Sequence, residues 1–87
     1  MPKYKLQKGF VVQKYPKKLV LFDSETSTMY TLNDTAVFIF DCVKKGLEKE
    51  KIIMDLIKRY SIAESRARKD VEDTLTNFLK QKIVKRV

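Results

Sequence analysis

The hydrophobic pattern changes period once, at Asn33-Asp34, and this switch constrains the fold more than any other feature of the chain. Before it, β-branched and aromatic residues come in short runs parted by turn residues. After it, apolar residues recur at three- and four-residue spacing. Gly9-Phe10-Val11-Val12-Gln13-Lys14-Tyr15 reads as a strand and Pro16-Lys17-Lys18 as a turn. Leu19-Val20-Leu21-Phe22 is a second strand, apolar enough to be covered on both faces. Asp23-Ser24-Glu25-Thr26 is turn chemistry, and Thr28 to Leu32 make a third strand. There Thr28, Tyr30 and Leu32 share one face, while Met29 and Thr31 share the other. Connections this short give an antiparallel meander, which needs a helical layer against it to be stable.

The rest of the chain supplies that layer. Asn33-Asp34 caps a first helix, because a short side-chain oxygen there takes up free backbone N–H groups. Its apolar stripe is Ala36, Ile39, Phe40 and Val43, and Gly46 ends it. A second helix over 48–60 carries Ile52, Ile53, Leu56, Ile57 and Tyr60 on one side and lacks a good N-cap. Ser61-Ile62-Ala63-Glu64 has capping-box spacing, and a third helix runs from there to about Gln81. Its stripe is Ala67, Val71, Thr74, Leu75, Phe78 and Leu79, with Ile83-Val84 as a short extended tail closing the core. Strands first and three helices after is an α+β pattern. The last two helices form a helix-turn-helix, and with the three-stranded antiparallel sheet the architecture is winged-helix-like. The expectation is one domain over 1–87, with 1–8 as a flexible basic tail.

The residues that are missing bound the chemistry. The chain has no His, so the usual general base and the commonest metal ligand are absent. Cys42 is the only cysteine; beside Ile39, Phe40 and Val43 it reads as a core-facing thiol. One Cys excludes an internal disulfide and fits a reducing compartment. Neither Gly9 nor Gly46 has a second Gly nearby, so no phosphate loop is present. Glu64, Asp70, Glu72 and Asp73 alternate with Arg66, Arg68 and Lys69, the mark of a solvated face. No apolar run approaches the roughly 18–20 residues of a membrane span, and no signal peptide is visible. The expectation is a cytoplasmic, non-enzymatic protein with no catalytic residues, metal or cofactor.

The formal charge of +8 is unevenly placed. Residues 1–18 carry six Lys and no acid, while 48–87 carry eleven bases against seven acids. Such an excess favours an acidic partner without choosing between nucleic acid, an anionic surface and an acidic peptide.

The run Tyr30-Thr31-Leu32-Asn33-Asp34-Thr35-Ala36, with a helix closed by Gly46, resembles the PqqD family. Ile52-Ile53, Leu56 and Tyr60, then Asp70-Val71, Leu75 and Phe78-Leu79, continue the resemblance over roughly 9–84. Two positions depart from it. Members usually have Gly before the final apolar pair, where Lys82 stands, and many open the second helix with Ser or Thr, where Glu48-Lys49 stands. The resemblance implies a recognition element for ribosomally made, post-translationally modified peptides. Such an adaptor binds the leader segment of a precursor peptide and presents it to a modifying enzyme, a radical-SAM protein or a leader peptidase. The leader adds as a strand to the edge of the third strand and packs on the third helix.

An open edge offers unpaired N–H and C=O groups, and an adjacent helix offers pockets for alternate side chains. The candidate peptide-binding residues are Thr28, Met29, Tyr30, Thr31 and Leu32 on the strand, with Arg68, Val71, Glu72 and Leu75 on the helix. Tyr30, Leu32, Val71 and Leu75 also read as plain core; Met29, Thr31 and Arg68 are the candidates for direct contact. Arg66, Arg68 and Lys69 either steer an acidic leader or balance their own acidic neighbours. The alternative is a DNA-binding winged helix. Helix three over 64–82 has five bases against four acids, and Asp70, Glu72 and Asp73 at its middle would oppose phosphate. The sequence leaves open monomer or homodimer, the pathway and the partner enzyme.

Overall fold

The computed structural model describes residues 3–86. Its elements run β1 (Tyr4–Leu6), β2 (Phe10–Tyr15), β3 (Lys18–Asp23), β4 (Thr28–Leu32), α1 (Asp34–Lys44), α2 (Lys49–Tyr60), α3 (Glu64–Lys80) and β5 (Val84–Arg86). The meander is present as the spacing requires: β2, β3 and β4 form an antiparallel sheet in that order. Its register pairs Leu21 with Val12 on one side and Tyr30 on the other, and Leu19 with Lys14 and Leu32. Residues opposite one another share a face, so Leu19, Leu21, Tyr30 and Leu32 point together toward the helices. Three helices follow the sheet in an α+β arrangement.

The core lies between that sheet face and the helices. Leu19, Leu21 and Leu32 meet Ile39, Phe40 and Val43 of α1, Ile52, Ile53 and Leu56 of α2, and Ala67, Val71, Leu75 and Phe78 of α3. Phe40 and Phe78 pack edge to face, with ring centroids 6.3 Å apart and planes at 89°. No polar or charged side chain is buried among the described residues, so the core between the layers is apolar throughout.

Residues 4–6 correct the expectation of a flexible tail over 1–8. Tyr4–Leu6 pairs antiparallel with β5, Tyr4 opposite Arg86 and Leu6 opposite Val84, and Tyr4 is buried. The Gln7 N–H donates to the Ile83 carbonyl at 2.9 Å and extends the ladder. The tail at Ile83-Val84 thus closes the core as expected, but as half of a ribbon. Met1 and Pro2 of that expected tail lie outside the described residues.

Helix ends follow local chemistry with one exception. Asn33 caps α1, its Oδ1 accepting from the Ala36 N–H at 2.9 Å. At the other end Gly46 takes φ +82°, letting its N–H reach the Val43 carbonyl and the Leu47 N–H reach Cys42. The exception is the capping box: Ser61 ends α2 at φ 52°, and the cap of α3 is Ala63, without a side-chain bond. Ser61 closes one helix and is unavailable to open the next.

The C-terminus of α3 repeats the motif of α1 with Lys82 in place of glycine. Lys82 sits at φ 59°, its N–H bonding Leu79 and the Ile83 N–H bonding Phe78. A left-handed L-residue costs about 1–2 kcal/mol, partly offset by the greater freedom glycine loses on folding. Lys82→Gly is therefore expected to raise stability by about 0.5–1 kcal/mol, a few degrees in thermal midpoint. Circular-dichroism melts of the two proteins check it; an unchanged or lower midpoint refutes the strain argument.

Candidate functional site

Sheet order leaves β4 paired on one side only. Among the described residues no strand occupies its outer edge, and none of its five residues is proline. The hairpin before it is fixed locally: the Glu25 N–H donates to Asp23 Oδ1 at 3.0 Å, and Ser27 turns the chain at φ 55°. Tyr30 and Leu32 point into the molecule, Tyr30 lying 6.3 Å from the Phe10 ring. Met29 and Thr31 project from the opposite face and are exposed, Met29 by 64%.

Beside this edge runs a groove of about 390 Å³. Met29 to Leu32 form its sheet wall, Asn33 and Ala36 its end at α1, and Thr74, Asn77, Phe78 and Gln81 its helical wall. The floor is apolar through Leu32, Ala36 and Phe78, and the helical rim is hydroxyl and amide. A smaller, polar recess between Asn33, Thr35, Arg66, Asp70, Asp73 and Thr74 adjoins it at the α1 end. The arrangement pairs an unfilled ladder of backbone donors and acceptors with a trough for side chains, which suits an extended chain.

The structure brings only the strand candidates to this place. Thr28 stands at the hairpin end of β4, and Met29, Tyr30, Thr31 and Leu32 line the groove. The four helix candidates do not line the groove. Val71 and Leu75 are core, 0% and 2% exposed. Arg68 and Glu72 lie toward α2: Arg68 grips both Glu50 oxygens at 2.9 Å and reaches Glu64 at 3.4 Å, and Glu72 pairs with Lys49. The Arg68 bonds hold the Glu50 carboxyl below the usual range, and Glu50 in turn holds the guanidinium in its charged form. Arg66 and Lys69 pair with Asp70 and Asp73 one turn on, so these bases balance the acids beside them.

The residues that sequence reasoning missed are Thr74, Asn77 and Gln81 as a surface row. Their signal was present: they form an uncharged polar line at three- and four-residue spacing, on a helix whose exposed positions are mostly charged.

Other reactive chemistry is muted. Cys42 is buried, and that burial, then the Asp55 carboxylate, push its thiol above the ordinary value. Among the described residues no group of His, Cys, Asp and Glu could hold a metal ion, and no helix is long and apolar enough to cross a membrane.

Residues 18–84 match the family model of coenzyme PQQ synthesis protein D, PqqD. The chain belongs to the PqqD family. The PqqD match opens at the first residue of β3 and closes at the first of β5, so the β4 edge, α3 and the groove between them lie inside it. No curated protein sequence matches. Two solved structures share the PqqD-like fold of this chain. One is TbiB1 in complex with the TbiA(beta) leader peptide, at TM-score 0.85 and 20% identity over 93% of this chain and 94% of that one. The other is lasso peptide synthetase B1 complexed with the leader peptide, at TM-score 0.86 and 20% identity over 95% and 98%.

Proposed function

We propose that this PqqD-family chain is a non-catalytic, cytoplasmic adaptor. It takes the leader segment of a ribosomally made precursor peptide as an added strand on β4 and presents it to a modifying enzyme, a radical-SAM protein or a leader peptidase. The observation that carries the reading is the open edge of β4 beside the groove. The likeness to two leader-peptide complexes supports it.

Strand addition uses β4 backbone groups for affinity and asks little of the peptide's sequence. Selectivity comes from the trough: apolar side chains settle on Leu32 and Phe78, while Thr74, Asn77 and Gln81 offer hydrogen bonds along the rim. The protein supplies no nucleophile or base, and its part is to hold the substrate extended and raise its local concentration at the enzyme.

A titration with synthetic peptides from any short reading frames that lie near the gene tests the proposal. Backbone amide shifts are expected at 28–33 and 74–81, with little change on the α2 flank of α3. A flat response to every neighbouring short peptide refutes the adaptor reading.

A further inference from the structure

The +8 charge is concentrated by the topology, and where it gathers is separate from the groove. Seven acids are taken up in ion pairs on α1, α2 and α3: Asp41, Glu50, Asp55, Glu64, Asp70, Glu72 and Asp73. The two ends of the chain are different. Residues 1–8 hold Lys3, Lys5 and Lys8, residues 80–87 hold Lys80, Lys82, Lys85 and Arg86, and neither stretch has an acidic side chain. Pairing of β1 with β5 lays these stretches side by side. The seven cations form no ion pair among the described residues.

One detail sets this ribbon apart from a merely solvated surface. Lys5 stands directly opposite Lys85, both exposed. Like charges at facing positions destabilise a pair of strands, and an acid at either place would turn the repulsion into attraction. The ladder's next step, Gln7 to Ile83, brings Lys8 and Lys82 to the same end of the ribbon. The repulsion is relieved when an anionic surface covers both lysines.

We infer that the β1–β5 ribbon is a docking surface for an acidic patch on a second protein, distinct from the peptide groove. A polypeptide fits better than nucleic acid on three counts. The ribbon's one aromatic, Tyr4, is buried and offers no platform for a base. Each strand has three residues, about 10 Å of length, which matches a short cluster of carboxylates and not a track of phosphates. Glu72 of α3 lines the same recess as Tyr4 and Arg86, and a long polyanion would have to pass it. This surface needs no peptide in the groove, so it stands or falls independently of the leader reading.

The test is a titration of the whole protein with a short oligoglutamate, followed by backbone amide shifts, with a mixed-sequence DNA duplex as the competing probe. Shifts are expected at 3–8 and 82–86, clear of the groove-lining Gln81, and should fade as salt rises. Lys85→Glu is expected to weaken oligoglutamate binding roughly fivefold while raising the urea midpoint, because it removes one attraction and converts the Lys5 contact. Lys17→Glu, on the distant β2–β3 turn, should leave the affinity unchanged. Shifts spread evenly over all exposed lysines, or equal losses in the two variants, overturn the site. A duplex that binds the same residues more tightly than the peptide overturns the choice of partner. A lower urea midpoint for Lys85→Glu removes the argument from like-charge repulsion.

Discussion

Phe78→Ala is expected to cost about 3–5 kcal/mol, the usual range for truncating a buried aromatic, and to leave this domain only marginally stable at room temperature. Phe78 is 2% exposed and stacks edge to face on Phe40, joining α3 to α1. Its carbonyl accepts from the Ile83 N–H at 2.8 Å, so the turn that launches β5 hangs from the same residue. An 87-residue chain buries roughly 60–65% of its surface, and its total stability sits near the lower end of the ~5–15 kcal/mol range. One large cavity therefore consumes most of the margin. Urea denaturation followed by circular dichroism measures it, with Phe78→Leu as a milder companion expected to remain folded. A loss below about 1.5 kcal/mol for the alanine variant would show that the α1–α3 contact is not central to the core.

Most elements were legible in the sequence because they are encoded locally. The meander follows from turn residues at Pro16 and Asp23, α1 from Asn33 and Gly46, and the stripes of α2 and α3 from their spacing. What escaped depends on partners distant in sequence. β1 is three residues long and pairs with β5 across nearly the whole chain, so its lysines read as a tail until Tyr4 is seen buried. The start of α3 escaped for a smaller reason: Ser61 has capping-box spacing, yet a left-handed Ser61 ends α2 first.

The side of α3 that lines the groove was the part least legible in the sequence. Periodicity identifies the stripe of a helix that meets the core, here Ala67, Val71, Leu75 and Phe78. It says nothing about which flank of that stripe lies beside β4 and which beside α2, because that depends on how the layers are handed. The two flanks differ in chemistry: Arg68 and Glu72 are spent on Glu50, Glu64 and Lys49, whereas Thr74, Asn77 and Gln81 face the groove with no charge to neutralise. Charged residues drew attention in the sequence because they promise strong contacts. In the fold those promises are already kept within the protein.

This difference between flanks gives a decisive pair of substitutions for peptide binding. Asn77→Trp is expected to weaken leader binding by about 10–100-fold, on the order of 1.4–2.8 kcal/mol, because the indole fills the trough while leaving the β4 edge unaltered. Asn77 is exposed, so stability should stay within about 0.5 kcal/mol. Arg68→Ala removes only exposed ion pairs with Glu50 and Glu64, worth at most about 1 kcal/mol of stability, and should leave affinity unchanged. Isothermal titration of the three proteins with one leader peptide compares them directly. A peptide that loses more affinity with Arg68→Ala than with Asn77→Trp runs along the α2 flank, and the groove beside β4 is then not its site. A peptide indifferent to both binds through the β4 edge alone, without side-chain selection by α3. The predicted ordering holds only if backbone pairing and the trough act together, since the indole leaves every β4 donor and acceptor in place.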